Sequence, residues 1–175
     1  MMLRKTLALG LGLALALVIG CGQSGPTTAK STLVNPQGQK VGEATLTETP
    51  QGVKIVMQID KLPPGEHAFH IHGKGVCATP DFASAGGHFN PFAKQHGLKN
   101  PAGPHAGDLP NITVGANGKA KVEAVAKSVT LKEGVKNSLF QPGGTSLVIH
   151  AGPDDNVTDP AGNAGPRIAC GVITR

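Results

Sequence analysis

The chain has no tryptophan and no tyrosine, and only five phenylalanines in 175 residues. Proteins that grip single-stranded nucleic acid stack bases on aromatic rings and follow the backbone with basic runs. This sequence has neither, because its lysines and arginines are spread without a cluster. Charged residues make up only 15% of the chain, so the chemistry must be sought in a few places. The H-E-x-x-H pattern of zinc hydrolases is absent, and no general base stands beside the histidines. No convincing amphipathic helix occurs after residue 30, which turns the fold toward strands.

There is one long apolar run, Leu7 to Ile19, preceded by Arg4 and Lys5. It is too short to cross a bilayer and fits the core of a secretory signal. The run closes on "VIGC", the bacterial lipoprotein pattern in which the cysteine, here Cys21, is lipidated and becomes the new N-terminus. The expectation is a lipoprotein signal peptide over residues 1–20, a polar flexible tether over 21–30 and a folded domain over 31–175. Such a protein is anchored to a membrane through Cys21 and faces the periplasm or the cell exterior. Loss of Arg4 and Lys5 takes the formal net charge from +5 to +3. The chain has three cysteines. With Cys21 acylated, Cys77 and Cys170 remain as an even pair in an oxidising compartment. "NIT" at Asn111 and "NVT" at Asn156 are formal glycosylation sequons, which a bacterial lipoprotein leaves unused.

The remaining sequence reads as short strands between turn signals. "GVKIVMQIDKL" alternates, with Val53, Ile55, Met57 and Ile59 on one face and Lys54, Gln58 and Asp60 opposite. "NPQGQK", "TPQG" and "LPPG" break the early strands; "KAKVEAVAKSVTL", "TSLVIH" and "RIACGVI" supply later ones. This pattern predicts an all-β Greek-key sandwich or barrel. Two Gly/Pro-rich stretches, His88 to Pro110 and Ala151 to Pro166, interrupt it. Long loops of that kind in a compact domain call for a function or an ordering ligand.

The histidines supply such a ligand's partners. On an extended "AFHIH", side chains alternate, so His70 and His72 point the same way and His67 does not join them. His88, His96, His105 and Asp108 follow in the first long loop. Three imidazoles and a carboxylate complete a tetrahedral zinc set, and a full protein set marks a structural site. His150 ends the strand "TSLVIH". With His70, His72 and one loop histidine it forms an all-nitrogen set, which favours Cu(II). No cysteine is spare to act as a thiolate, so a blue-copper electron carrier is disfavoured. Spacing thus points to two neighbouring metal sites, one of them redox-active, on a β scaffold.

In this order, "FHIH", "GGHFNP", "KQHG", "HAGDLPNI", "LVIH" and "GNAGPRIACGVI" resemble the motifs of the Cu/Zn superoxide dismutase family, over nearly all of residues 31 to 173. The resemblance implies a flattened Greek-key β-sandwich of immunoglobulin-like architecture with two long functional loops. It implies one copper per subunit on His70, His72, His88 and His150, and one zinc on His88, His96, His105 and Asp108, with His88 bridging. Asp154 matches the aspartate that links His70 to His96. Arg167 matches the arginine that attracts and orients the anion. Cys77 and Cys170 match the intrasubunit disulfide, and His67 matches a structural histidine held by nearby backbone.

The activity implied is dismutation of superoxide to dioxygen and hydrogen peroxide through alternate reduction and reoxidation of copper, with His88 and Arg167 as the catalytic residues. The rival reading is a non-catalytic copper/zinc-binding lipoprotein, against which Arg167 argues, since a carrier needs no anion guide. Two departures from the familiar eukaryotic enzymes matter. The stretch from His150 to Arg167 is shorter and carries Asp154, Asp155 and Asp159 but no lysine, which bears on rate. The stretch from Cys77 to His88 is longer and bears on any subunit interface, so a homodimer is compatible with the resemblance but not carried over by it.

Overall fold

The computed structural model describes residues 27–175. The expected signal peptide, Cys21 and the first part of the tether lie outside the described residues. Nine strands follow in order: β1 Thr28–Val34, β2 Lys40–Thr49, β3 Gly52–Ile59, β4 Gly65–His67, β5 Phe69–His72, β6 Ile112–Val114, β7 Ala120–Ala126, β8 Ser146–His150 and β9 Arg167–Val172. The helical content among the described residues is one 3₁₀ turn, Ala83–Ala85, and none of their helices is long and apolar enough to cross a membrane.

Seven strands form one antiparallel sheet in the order β5-β8-β9-β1-β2-β3-β7, and β4 pairs with β6. β7 returns to β3, and β8 returns to β5, across strands that lie between them in sequence. These are the long connections of a Greek key. The domain starts earlier than residue 31. Residues 28–30 are strand and not tether, because Thr28, Ala29 and Lys30 pair with Thr47, Leu46 and Thr45 of β2 and Ala29 is buried.

The alternation on β3 is realised in full: Val53, Ile55, Met57 and Ile59 are buried and join Leu33, Leu46, Phe69, Ile71, Leu147 and Ile149 in the main core. "NPQGQK" is a tight turn in which the Asn35 side-chain oxygen accepts from the N–H groups of Gln37 and Gln39. "TPQG" is the β2–β3 turn. It requires Gly52, whose φ is 121° and where a Cβ would stand 2.4 Å from the Ala126 carbonyl oxygen.

β5 is buried along its whole length, so its alternation divides two interiors. Phe69 and Ile71 enter the hydrophobic core, while His70 and His72 face away from it. Their cross-strand partners are Val148 and Ser146 of β8, and side chains directly opposite share a face. On that face Val148, Phe82, Ala85 and Cys170 form a second, small apolar cluster. The segment carrying Phe82 is secured there by the Cys77–Cys170 disulfide, which spans 93 residues with a Cα–Cα distance of 5.7 Å.

Closing a loop of that length restrains the unfolded chain by up to about 4–5 kcal/mol in the chain-entropy picture. The Cys77→Ser/Cys170→Ser double variant is therefore expected to lose most of that amount in denaturant unfolding. A loss below about 1 kcal/mol would show that packing alone holds the segment.

Candidate metal centre

Backbone pairing brings the first long loop onto the free edge of β5. His72 bridges to His88 and His70 to Asp108. Around Ile71 the backbone bonds interlock: Ile71 N–H donates to Gly107 O at 2.9 Å, Phe89 N–H to Ile71 O at 2.8 Å and Gly107 N–H to Phe89 O at 2.9 Å. Gly107 is needed there, because a Cβ would stand 2.2 Å from the Ile71 oxygen. This lacing places His88 and Asp108 beside the two strand histidines.

Two four-residue sets of converging ligand atoms result. His70, His72, His88 and His150 form one, and His88, His96, His105 and Asp108 the other; within each, the ligand atoms lie within 4.8 Å of one another. His88 belongs to both. Spacing alone leaves the shared imidazole open, the family resemblance implies His88, and the structure places His88 in both sets.

In the first set each ring is oriented through its second nitrogen. His70 Nε2–H donates to Asp154 Oδ2 at 2.8 Å, His72 Nδ1–H to Gly86 O at 2.9 Å and His150 Nδ1–H to Gly165 O at 3.0 Å. Those bonds leave lone pairs on His70 Nδ1, His72 Nε2 and His150 Nε2, and the last two are 3.5 Å apart. His70 Nδ1 and His88 Nε2 are buried with no hydrogen-bond partner. A buried polar atom without a partner is rare and costly, and here two of them converge. Burial is the main force holding all four rings neutral: it lowers His70, His72 to about 2, and His88 and His150 to about 4. Neutral imidazoles with converging lone pairs fit a copper ion.

The second set crowds three imidazole nitrogens around one carboxylate oxygen. Asp108 Oδ1 is 2.9 Å from His88 Nδ1, 3.1 Å from His96 Nδ1 and 3.4 Å from His105 Nδ1, and His105 Nδ1 is 3.5 Å from His88 Nδ1. A tetrahedron with arms of ~2.0–2.1 Å has edges of about 3.3 Å, so these separations fit zinc. Asp108 Oδ2 meanwhile accepts from Gly97 N–H and His105 N–H, each at 2.9 Å. Burial works against its charge, but the hydrogen bonds from His105, His88, His96 and Gly97 outweigh that and hold it far below the usual carboxylate range.

Asp154 joins the sets. Its Oδ1 accepts from His96 Nε2–H at 3.0 Å while Oδ2 takes His70. His96 lies between two carboxylates; burial opposes its charge, but Asp108 and Asp154 prevail and raise it to about 9. Asn111 clamps the main chain of Asp154 in both directions, accepting from its N–H and donating to its carbonyl, each at 2.9 Å. Neither ring nitrogen of His67 faces the sets; they meet the carbonyls of His150 at 2.9 Å and Pro63 at 2.8 Å.

Arg167 opens β9 opposite His150. Its guanidinium donates to Phe82 O and, at 2.6 Å, to Gly86 O. The Gly86 carbonyl thus receives both Arg167 and His72, and the Arg167 charge adds to what keeps His72 and His150 neutral. Burial lowers the guanidinium itself, though it stays a cation at neutral pH.

The sequence model described as Copper/zinc superoxide dismutase (SODC) matches residues 40–173. The chain belongs to the copper/zinc superoxide dismutase family. It is 59% identical over 142 residues to "Superoxide dismutase [Cu-Zn] 1" of Aquifex aeolicus (strain VF5), covering 81% of this chain and 84% of that one. It is 55% identical over 165 residues to "Superoxide dismutase [Cu-Zn] 2" of the same organism, covering 94% and 96%. The crystal structure of a SOD-like protein from Bacillus subtilis superimposes with a TM-score of 0.79 at 46% identity, covering 82% of this chain and 96% of that one. The protein is accordingly a copper- and zinc-dependent superoxide dismutase, and that activity is favoured over a non-catalytic metal carrier.

Within this superoxide dismutase, sequence reasoning missed the residues that act through backbone or space. Gly86 contributes a carbonyl and Asn111 was noted only within a motif and a sequon. Gly162 leaves room: at φ 61°, a Cβ there would stand 1.8 Å from Asp154 Oδ1 and 2.8 Å from His96 Nε2. Gly162→Ala should therefore weaken metal retention by roughly 10–100-fold, the range for lost outer partners, when Cu and Zn content is followed by mass spectrometry during dialysis. Gly134→Ala, at φ 74° with nothing within 4 Å and in an exposed turn, is the matched control and should retain metal.

Proposed function

We propose that His70 Nδ1 and the Nε2 atoms of His72, His88 and His150 hold the copper, and that Nδ1 of His88, His96 and His105 with Asp108 hold the zinc. The observation that carries this reading is the pair of buried, unpartnered nitrogens, His70 Nδ1 and His88 Nε2. Copper bound there supplies the one-electron couple that oxidises one superoxide to dioxygen and reduces the next to peroxide, and zinc supplies a fixed positive charge. Two protons complete the hydrogen peroxide. His88 Nε2 would hold one of them only while that nitrogen is free of the copper, and would regain its lone pair on giving the proton to the second oxygen species, since its Nδ1 remains turned toward Asp108.

Arg167 attracts the anion and orients it. Its two carbonyl anchors hold a positive charge near enough to His72 and His150 to act on both. The loop 151–166 supplies three aspartates and no lysine, so guidance falls on Arg167 more heavily than on the loop. Asp154 fixes both rings that it touches, and His67 braces the main chain of His150.

The same proposal places the enzyme outside the cytoplasm, held to a membrane by a lipid on Cys21. Its supports are the "VIGC" pattern, a flanking polar segment and a disulfide suited to an oxidising compartment.

Superoxide consumption by protein of measured copper and zinc content tests the site, and full loading without activity would overturn it. Arg167→Ala is expected to lower kcat/KM about tenfold or more and to flatten its salt dependence, at the lower end of the range for steering, while metal content stays unchanged. Loss of copper in that variant would remove Arg167 from the role of guide. For the anchor, Cys21→Ser should move the protein from the membrane to the soluble fraction.

A further inference from the structure

The loop 151–166 meets the zinc set at a second point besides Asp154. Asp159 Oδ1 accepts the main-chain N–H of His96 at 2.6 Å and stands 3.9 Å from His105 Nε2. Resting on the zinc assignment above, we propose that Asp159 is a positioning residue for zinc, tying this loop to two of the ligands at once.

A ligating imidazole is oriented by what its other nitrogen meets. For His88 that nitrogen faces the copper set, and for His96 it meets Asp154. His105 turns Nδ1 toward Asp108 and His88, and the acidic group facing its Nε2 is Asp159. At 3.9 Å the contact is electrostatic and not a hydrogen bond; it favours the tautomer with the proton on Nε2 and the lone pair on Nδ1. The carboxylate thus does for His105 from outside what Asp154 does for His96 from within.

Asp159 is half-exposed, yet its backbone is braced. Asp155 Oδ1 accepts from Val157 N–H at 2.9 Å and Thr158 N–H at 2.8 Å, and Gly162 N–H donates to Thr158 O at 2.7 Å. The bracing holds the side chain at the rim of the zinc set. His96 gains a fixed main chain from it, and His105 a fixed ring.

The test compares wild type, Asp159→Asn and Asp159→Ala, each loaded with copper and zinc, by the rate at which zinc passes to a chromogenic chelator. Asp159→Ala should release zinc about 10–100-fold faster. Asp159→Asn should fall between, because its amide oxygen still accepts the His96 N–H while the charge facing His105 is gone. With Co(II) in place of zinc, the visible bands should shift in both variants, and the melting temperature of the metal-free chains should not change. Equal release rates in all three proteins would overturn the proposal. So would a metal-free melting temperature that falls in step with faster release, since that marks a general structural role. Asp108→Ala in the same assay separates the two layers. If that variant keeps its zinc, the zinc assignment fails and this inference with it. If it loses zinc while Asp159→Ala releases at the wild-type rate, this inference alone fails.

Discussion

One buried carboxylate, Asp154, holds the two halves of the centre to each other. It receives His70 on one oxygen and His96 on the other, and these rings belong to different ligand sets. Its own position depends on the Asn111 clamp and on the Asn156 N–H, which donates to Oδ1. A charge at this depth is tolerable only while its donors are in place. Burial alone would raise Asp154; the hydrogen bonds from His70, His96 and Asn156 reverse that and hold it well below its ordinary value. Anything that shifts the loop around Asp154 therefore acts on both proposed metals.

A second chain of contacts links the disulfide to the proposed anion guide. Cys77–Cys170 pins the segment that packs Phe82 and Ala85 against Val148. The same segment presents the Phe82 and Gly86 carbonyls to Arg167, and the Gly86 carbonyl also receives His72. Covalent closure, apolar packing and the placement of a cation are consecutive steps of one arrangement. The stretch between Cys77 and His88 is thus a saddle for Arg167. Its consequence lies in orientation, because a guanidinium held at two carbonyls keeps its charge in a fixed direction.

The sheet makes the centre possible by being covered on both faces at β5 and β8. Phe69, Ile71, Leu147 and Ile149 secure the strands from the core side. With that face occupied, the opposite face can bury imidazoles and keep them neutral. Desolvation, the leading cause of the lowered values at His72, His88 and His150, is itself a product of the loops laid over this face. Fold and chemistry meet in that burial.

The sequence by itself determined the strand alternation, the separation of His67 from His70 and His72, the two ligand sets by residue type and the even cysteine pair. Each follows from local rules: a period of two along a strand, the donor preferences of metals and the pairing of thiols in oxidising surroundings. It placed the start of the domain a few residues late, because the burial of Ala29 depends on β2 and not on its own polar neighbours. Only the tertiary structure decided which carbonyls hold Arg167, and why Gly107 and Gly162 must lack a side chain. The roles of Asn111 and Asp159 belong there too. These depend on atoms brought within a few ångströms from distant parts of the chain, through backbone carbonyls and empty space, and neither leaves a periodic mark in the order of residues.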